Sequence, residues 1–141
     1  MRRRNFVLFL ILEILSSLIA VVLFKNLEDP RWAGVFAGIG FFTTGIVIVL
    51  MSWRWPEKWT LPTFWLAHVH VWVITLPMFL MRLAYWETPF TELRIMGMEG
   101  TLFHRVSEII FTLLILATIT DWLRCVLRKK TGRPAPGVSG S

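Results

Sequence analysis

Apolar residues lie in four long blocks, separated by short stretches that hold most of the charged residues, prolines and tryptophans. The blocks cover about residues 6–24, 33–53, 63–83 and 103–123. The hydrocarbon core of a bilayer is about 30 Å thick and needs on the order of 20 apolar residues as a helix. Each block is long enough to cross it. The pattern therefore predicts an all-α, integral membrane four-helix bundle over residues 1–127.

Composition agrees with this prediction and excludes several classes of protein. The chain has 141 residues, 55% of them hydrophobic and only 17% charged, whereas soluble domains are about 25% charged. One cysteine, Cys125, excludes an intrachain disulfide framework and a cysteine-based metal cluster. The sequence contains no H-E-x-x-H motif, glycine-rich phosphate loop or nucleophile motif, so we expect no enzyme and no metal site.

The positions of lysine and arginine predict the orientation. With both termini on the cytoplasmic side, ten of these residues lie inside and five outside, as the positive-inside rule favours. The net charge of +6 is therefore explained by topology, and we expect no nucleic acid partner. Seven of the eight tryptophans fall at block ends, where indoles favour the headgroup level. We expect a multi-pass protein of a bacterial inner membrane or an equivalent one.

Two segments outside the blocks have their own signals. Between the third and fourth blocks, Thr88 suits a helix N-cap, Pro89 the first helical position and Gly97 a helix stop, which predicts a short interfacial helix. Residues 128–141 are basic and rich in proline, glycine and serine, which predicts a disordered tail.

Glu13 is the clearest polar residue within a block. A charged side chain near the bilayer centre costs about 2.5–3.5 kcal/mol on insertion scales. Ser16 and Ser17 share its helix face, and His68 and His70 of the third block lie at a similar depth. We expect Glu13 to bond to one of these histidines, which lowers the cost of both groups. Glu13, Ser17 and His68 are thus the candidates for intramembrane proton or ion chemistry.

The histidines are also candidates for holding a cofactor. His68 and His70 point about 200° apart on an unbroken helix, so they cannot share one metal. Either one could be the axial ligand of a haem or a chlorophyll-type pigment, because imidazole is a common metal ligand and a bundle core is a usual cofactor site.

Polar residues gather at both ends of the bundle. The outer polar cluster comprises Arg82, His104, Arg105 and Glu108. We expect either an ion-pair network that closes the bundle or a site for an anionic lipid or quinone headgroup. At the inner end, Asp121 and Arg124 are three residues apart and predict a local pair.

Two features concern helix packing. Small residues recur four apart in the second block around Gly34, Gly38 and Gly40, a spacing that lets membrane helices approach closely. Pro77 removes a backbone hydrogen bond to the carbonyl of Val73 and predicts a bend in the third block.

The features together favour a non-catalytic role. We expect a small integral subunit or scaffold that packs against other integral membrane subunits, with His68 or His70 contacting any pigment or haem. The alternative is a small oligomeric proton- or ion-coupled transporter that uses Glu13 as its protonatable site.

Overall fold

The computed structural model describes residues 2–131, with side chains described over residues 4–128. It contains α1 (Arg2–Asn26), α2 (Pro30–Trp53), α3 (Pro62–His68), a π-helical segment (Val69–Thr75), α4 (Leu76–Ala84) and α5 (Gly100–Thr131). The α3, π-helical and α4 segments are continuous and form the third span. The described chain thus holds the four predicted spans, each long and apolar enough to cross a membrane.

The spans extend beyond the apolar blocks at both ends, except that α2 ends at Trp53 as its block does. The largest difference is in α5, which continues to Thr131. The first four residues of the predicted disordered tail, 128–131, are therefore helical. The remainder of that predicted tail, residues 132–141, lies outside the described residues.

Short connections make consecutive spans antiparallel. Between α1 and α2 only residues 27–29 are non-helical. Asp29 is the N-cap of α2 and accepts a hydrogen bond from Arg31 N at 2.8 Å, and Pro30 occupies the first turn. Neighbours joined this tightly must run in opposite directions. The 54–61 connection therefore lies at the same end as both termini of the described chain, which we call the terminal end. The other two connections lie at the opposite end.

The spans form a square arrangement in which the first and third are diagonal. Helix α1 packs mainly against α2 and α5, and the third span packs against the same two helices. Side chains on α1 consequently meet partners on α2 and α5. This placement decides which polar groups can pair inside the bundle.

Two apolar clusters close the bundle. At the terminal end Phe6, Phe9 and Trp55 are buried, and the Phe6 and Trp55 rings lie 5.1 Å apart between centroids. At the opposite end Ile74 and Phe103 pack with Ile95. By contrast, only 28% to 33% of the most apolar window of each span is buried within the chain. The remaining apolar surface far exceeds what a soluble monomer exposes and suits contact with lipid chains.

The segment predicted as a short interfacial helix has a different structure. It consists of a 3-10 turn (Phe90–Glu92) followed by a two-stranded antiparallel hairpin, β1 (Arg94–Ile95) and β2 (Met98–Glu99). Met96 and Gly97 have φ of 52° and 83°, which is the signature of a type I′ turn. Gly97 thus turns a hairpin instead of ending a helix.

Only part of the predicted glycine packing forms within the described chain. A Cβ on Gly38 would lie 3.1 Å from Phe79 Cδ2, so that glycine faces a close neighbour. A Cβ built on Gly34 or Gly40 has no atom of the neighbouring spans within 4 Å, although the Gly40 carbonyl accepts a hydrogen bond from Ser16 Oγ at 3.5 Å. The closest approach occurs at Gly45, where an added Cβ would clash with the Val71 side chain of the π-helical segment.

Replacing Gly45 with alanine should therefore destabilise the bundle by about 1–3 kcal/mol, the usual cost of overpacking. Val71 is fully buried and β-branched, so its side chain cannot easily rotate away. The matched control is Gly40→Ala on the same helix, where space is open and alanine favours the helix. Reversible unfolding of the detergent-solubilised protein measures both. Equal stability of the two variants would contradict the contact.

Candidate functional site within the bundle core

Glu13 is fully buried, and its hydrogen-bond partner is a hydroxyl group. Its Oε1 accepts a hydrogen bond from Thr118 Oγ1 on α5 at 2.9 Å. Its Oε2 is buried and has no hydrogen-bond partner within the described chain. The structure therefore places an incompletely bonded carboxyl group in the interior of the bundle.

The expected contact between Glu13 and a histidine of the third span is wrong. Neither carboxyl oxygen bonds to His68 or His70 in the described structure. The physical reason is the diagonal placement of the first and third spans, because α1 packs mainly against α2 and α5. Similar depth in the bilayer did not imply adjacency.

The serines beside Glu13 have separate roles. Ser16 is buried, and its Oγ lies 2.6 Å from Thr44 Oγ1 of α2, so this hydroxyl pair joins the first two spans. Ser17, the serine predicted for the site, donates to the backbone carbonyl of Glu13 at 3.0 Å. It does not bond to the carboxyl group, so Ser16 replaces Ser17 among the interior polar groups.

Asp121 caps the third span from the neighbouring helix. Its Oδ2 accepts hydrogen bonds from Thr63 N at 3.1 Å and from Thr63 Oγ1 at 2.8 Å. Leu61 occupies the N-cap position of α3 and has no side-chain acceptor, so an outside group has to supply one. The predicted pair with Arg124 is present at 3.4 Å, on the other carboxylate oxygen.

His70 lies in the bundle interior because of the π-helical segment. Its Nε2 is 3.1 Å from Thr75 Oγ1, five residues further on. Residues five apart on an α-helix point about 140° away from each other, whereas i→i+5 hydrogen bonding brings them together. The ring packs against Phe111, with centroids 5.1 Å apart, and Nδ1 is buried without a partner within the described chain.

The π-helical segment lies just before Pro77, the residue from which the sequence predicted a bend in the third span. The segment ends at Thr75, directly before Leu76 and Pro77. The missing N–H of Pro77 lies where the hydrogen-bonding pattern returns to the α-helical form. Within the third span, Thr75 is fully buried, whereas His68 is only half-buried.

His68 is half-buried at the terminal end, in an aromatic cluster. Its ring centroid lies 4.3 Å from that of Phe64 and 5.8 Å from that of Trp53. Its Nδ1 is 2.8 Å from the carbonyl oxygen of Phe64. Because a carbonyl only accepts, Nδ1 carries the hydrogen in this bond, which leaves the Nε2 lone pair free to act as a ligand or an acceptor.

The outer polar cluster is not a single network. His104 and Glu108 pair at 3.4 Å, with side chains 53% and 65% exposed. Arg82 instead donates to the carbonyl oxygen of Thr88 at 3.0 Å, and Arg105 is exposed on α5. The predicted ion-pair network of these four residues is therefore wrong, since only His104 and Glu108 pair with each other.

A different ion pair joins the start of α2 to the connection between the third and fourth spans. Arg31 donates to Asp29 at 3.2 Å and to Glu87 at 3.0 Å. Arg31 and Glu87 are 56 residues apart in sequence, so helical spacing could not predict their contact.

The described residues contain no group of three histidine, cysteine, aspartate or glutamate side chains that could hold a metal ion. Comparison with protein-family models, with curated proteins and with solved structures finds no match for this chain.

Replacing Asp121 with alanine should destabilise the protein by about 1–3 kcal/mol, because two buried donors of Thr63 lose their acceptor. Thr63→Val removes only the hydroxyl bond and should cost less. Arg124→Ala, at an exposed side chain, should be close to neutral. Unfolding measurements on the three variants test this order. An Asp121→Ala variant as stable as the native protein would contradict the cap.

Proposed function

We propose that this chain is a small, non-catalytic integral membrane subunit or scaffold that packs against other membrane proteins. The observation that carries the proposal is the open space at Gly34 and Gly40 on α2. Small residues let membrane helices approach closely, yet nothing in the described chain packs where a Cβ of either glycine would lie; the Gly40 carbonyl accepts a hydrogen bond from Ser16 Oγ at 3.5 Å. A helix of a partner protein could pack against Gly34, and another against Gly40, which points about 120° away on α2.

The interior supports the same proposal. The bonds Glu13–Thr118, Ser16–Thr44 and Thr63–Asp121 each join two spans. A bundle whose buried polar groups are used mainly in holding its own helices together offers its outer surface for association.

The orientation and location are part of the proposal. The excess of lysine and arginine at the terminal end supports a cytoplasmic position for both termini. Exposed tryptophans at both ends, such as Trp32, Trp59 and Trp65, support anchoring at the two headgroup levels. The inner membrane of a bacterium, or an equivalent membrane, fits this arrangement.

Purification of the tagged native protein in a mild detergent should recover at least one integral membrane partner in a fixed ratio. Gly34→Leu and Gly40→Leu should lower that recovery severalfold, because the larger side chain keeps the partner helix away. The control is Leu113→Phe, which enlarges an exposed residue of α5. Quantitative mass spectrometry of the eluate measures the ratio. A lone monomer, or a partner indifferent to both leucine variants, would refute the scaffold proposal.

A pigment or haem, if this subunit contacts one, is best held by His68. The Phe64 carbonyl fixes the His68 ring with Nε2 available, as backbone acceptors do for metal-ligating histidines. His70 is less suitable, because it is 2% exposed and its Nε2 bonds to Thr75. Trp53, which is half-exposed and whose ring centroid lies 5.8 Å from that of His68, offers a flat surface to a planar ring.

The absorption spectrum of the gently solubilised native protein tests this part of the proposal. A tetrapyrrole ligated by His68 should give a visible band that His68→Ala removes and His104→Ala leaves unchanged. His104 is an exposed histidine at the opposite end, which makes it a suitable control. A band that survives His68→Ala, or a colourless complex with its partners present, would rule out this ligand.

One specific observation favours a second candidate, a small proton- or ion-coupled transporter. Glu13 Oε2 is a buried carboxyl oxygen without a hydrogen-bond partner in the described chain, a costly arrangement inside a membrane. Buried acidic residues in spans commonly serve proton or ion pathways. In this alternative, Glu13 is the site that is protonated and deprotonated in each cycle.

A further inference from the structure

The Thr118 hydroxyl can serve both protonation states of Glu13. Its oxygen lies 2.9 Å from Glu13 Oε1 and 2.9 Å from the carbonyl oxygen of Leu114. A hydroxyl has one proton to donate and can also accept. It can donate to a Glu13 carboxylate. It can equally accept the O–H of a protonated Glu13 while donating to Leu114. Both states are thus bonded without movement of any heavy atom.

No charged side chain bonds to the Glu13 carboxyl group in the described chain, so no ion pair holds it in the ionised state. Between Ala33 and Trp53, α2 has no ionisable side chain, and α5 has none between Ile109 and Thr120. The nearest ionisable groups toward the terminal end of α5 are Asp121 and Arg124, which pair with each other. On the third span, His70 bonds to Thr75. None of these side chains bonds to the Glu13 carboxyl group.

Toward the terminal end, α1 presents the buried Phe9 and Phe6, so the polar groups on this side of Glu13 lie on α5. Asp121 follows Thr118 by three residues on α5, a rise of about 4.5 Å. Asp121 is buried, whereas the side chain of its partner Arg124 is 56% exposed, so this pair connects the interior with the surface. Trp122, on the same turn, has a buried Nε1 without a partner in the described chain. Trp122 Nε1 can donate to a water molecule, and Glu13 Oε2 can accept from one.

Toward the opposite end, the buried surfaces of α1 and α2 become apolar. Ser16 and Thr44 lie one turn beyond Glu13 and bond to each other. Further along, the buried residues of α1 and α2 are Ala20, Ala37, Val35 and Ala33, whose side chains offer no group that can carry a proton. On the other two spans, the buried His70 and Thr75 bond to each other, and Ser107 lies eleven residues before Thr118.

We infer that Glu13 binds and releases a proton, which it exchanges with the solution at the terminal end through Asp121. The proton leaves the Glu13 carboxyl group, passes by way of water to the Asp121 carboxylate, and then reaches the solution. Asp121 and Thr118 act as positioning and relay groups for this exchange. The inference deepens the second candidate function and rests on it. It does not depend on whether a partner protein is recovered.

Infrared spectroscopy of the protein reconstituted in lipid vesicles tests the inference without a known substrate. The native protein should show the C=O band of a protonated carboxyl group that disappears as the pH rises and is absent in Glu13→Gln. After a rapid pH jump, Asp121→Asn should slow the response of this band by about a hundredfold, the low end of what a positioned proton-transfer group contributes. Asparagine keeps an acceptor for Thr63 but cannot carry the proton.

Three further variants separate proton transfer from a structural effect. Glu108→Gln, at an exposed carboxyl group of α5, should leave the band and its rate unchanged. Thr118→Val should move the pH at which the band titrates, whereas Thr118→Ser should preserve it. The amide band of the same spectra reports whether each variant stays helical. A band that does not titrate, or an Asp121→Asn variant that responds as fast as the native protein, would overturn the inference. Failure to recover a membrane partner would bear only on the scaffold proposal.

Discussion

The hydrocarbon core of a membrane offers no hydrogen bonds, so each polar side chain within a span must find its partner inside the protein. Several hydroxyls do so locally, bonding to the carbonyl four residues earlier, as Ser17, Thr112 and Thr120 do. Glu13 cannot be satisfied in this way, because its carboxyl group needs a donor. The bond from Thr118 on α5 therefore ties the first span to the last and constrains how the four helices pack.

The same requirement explains the other contacts between spans. Thr63 begins a helix whose N-cap position holds Leu61, so its free backbone N–H is bonded by Asp121 of α5. His70 reaches Thr75 only because the helix adopts a wider turn between Val69 and Thr75. Each polar group in a span thus has a specific structural consequence. The groups that remain incompletely bonded within the described chain are Glu13 Oε2, His70 Nδ1 and Trp122 Nε1, and of these only the carboxyl and imidazole groups exchange protons readily.

Periodicity and composition predicted the spans well, because a bilayer demands long apolar helices whatever their packing. The Asp121–Arg124 pair was also predictable, since the two residues are three apart on one helix. The partner of Glu13 was not, since Thr118 is 105 residues away and depth alone does not select a neighbouring helix. The hairpin at Met96 and Gly97 was missed because glycine marks both helix ends and tight turns.

The sequence by itself determined the helical class, the four spans and the residues that are costly to bury, because these follow from the length and polarity of local segments. Only the tertiary structure decided which of those residues meet. The first and third spans lie on a diagonal. Glu13 therefore bonds to Thr118, and Asp121 bonds to Thr63. The π-helical segment places His70 in the bundle interior, where it bonds to Thr75. The physical reason is that pairing depends on which helices are adjacent, and adjacency is set by the packing of the whole bundle.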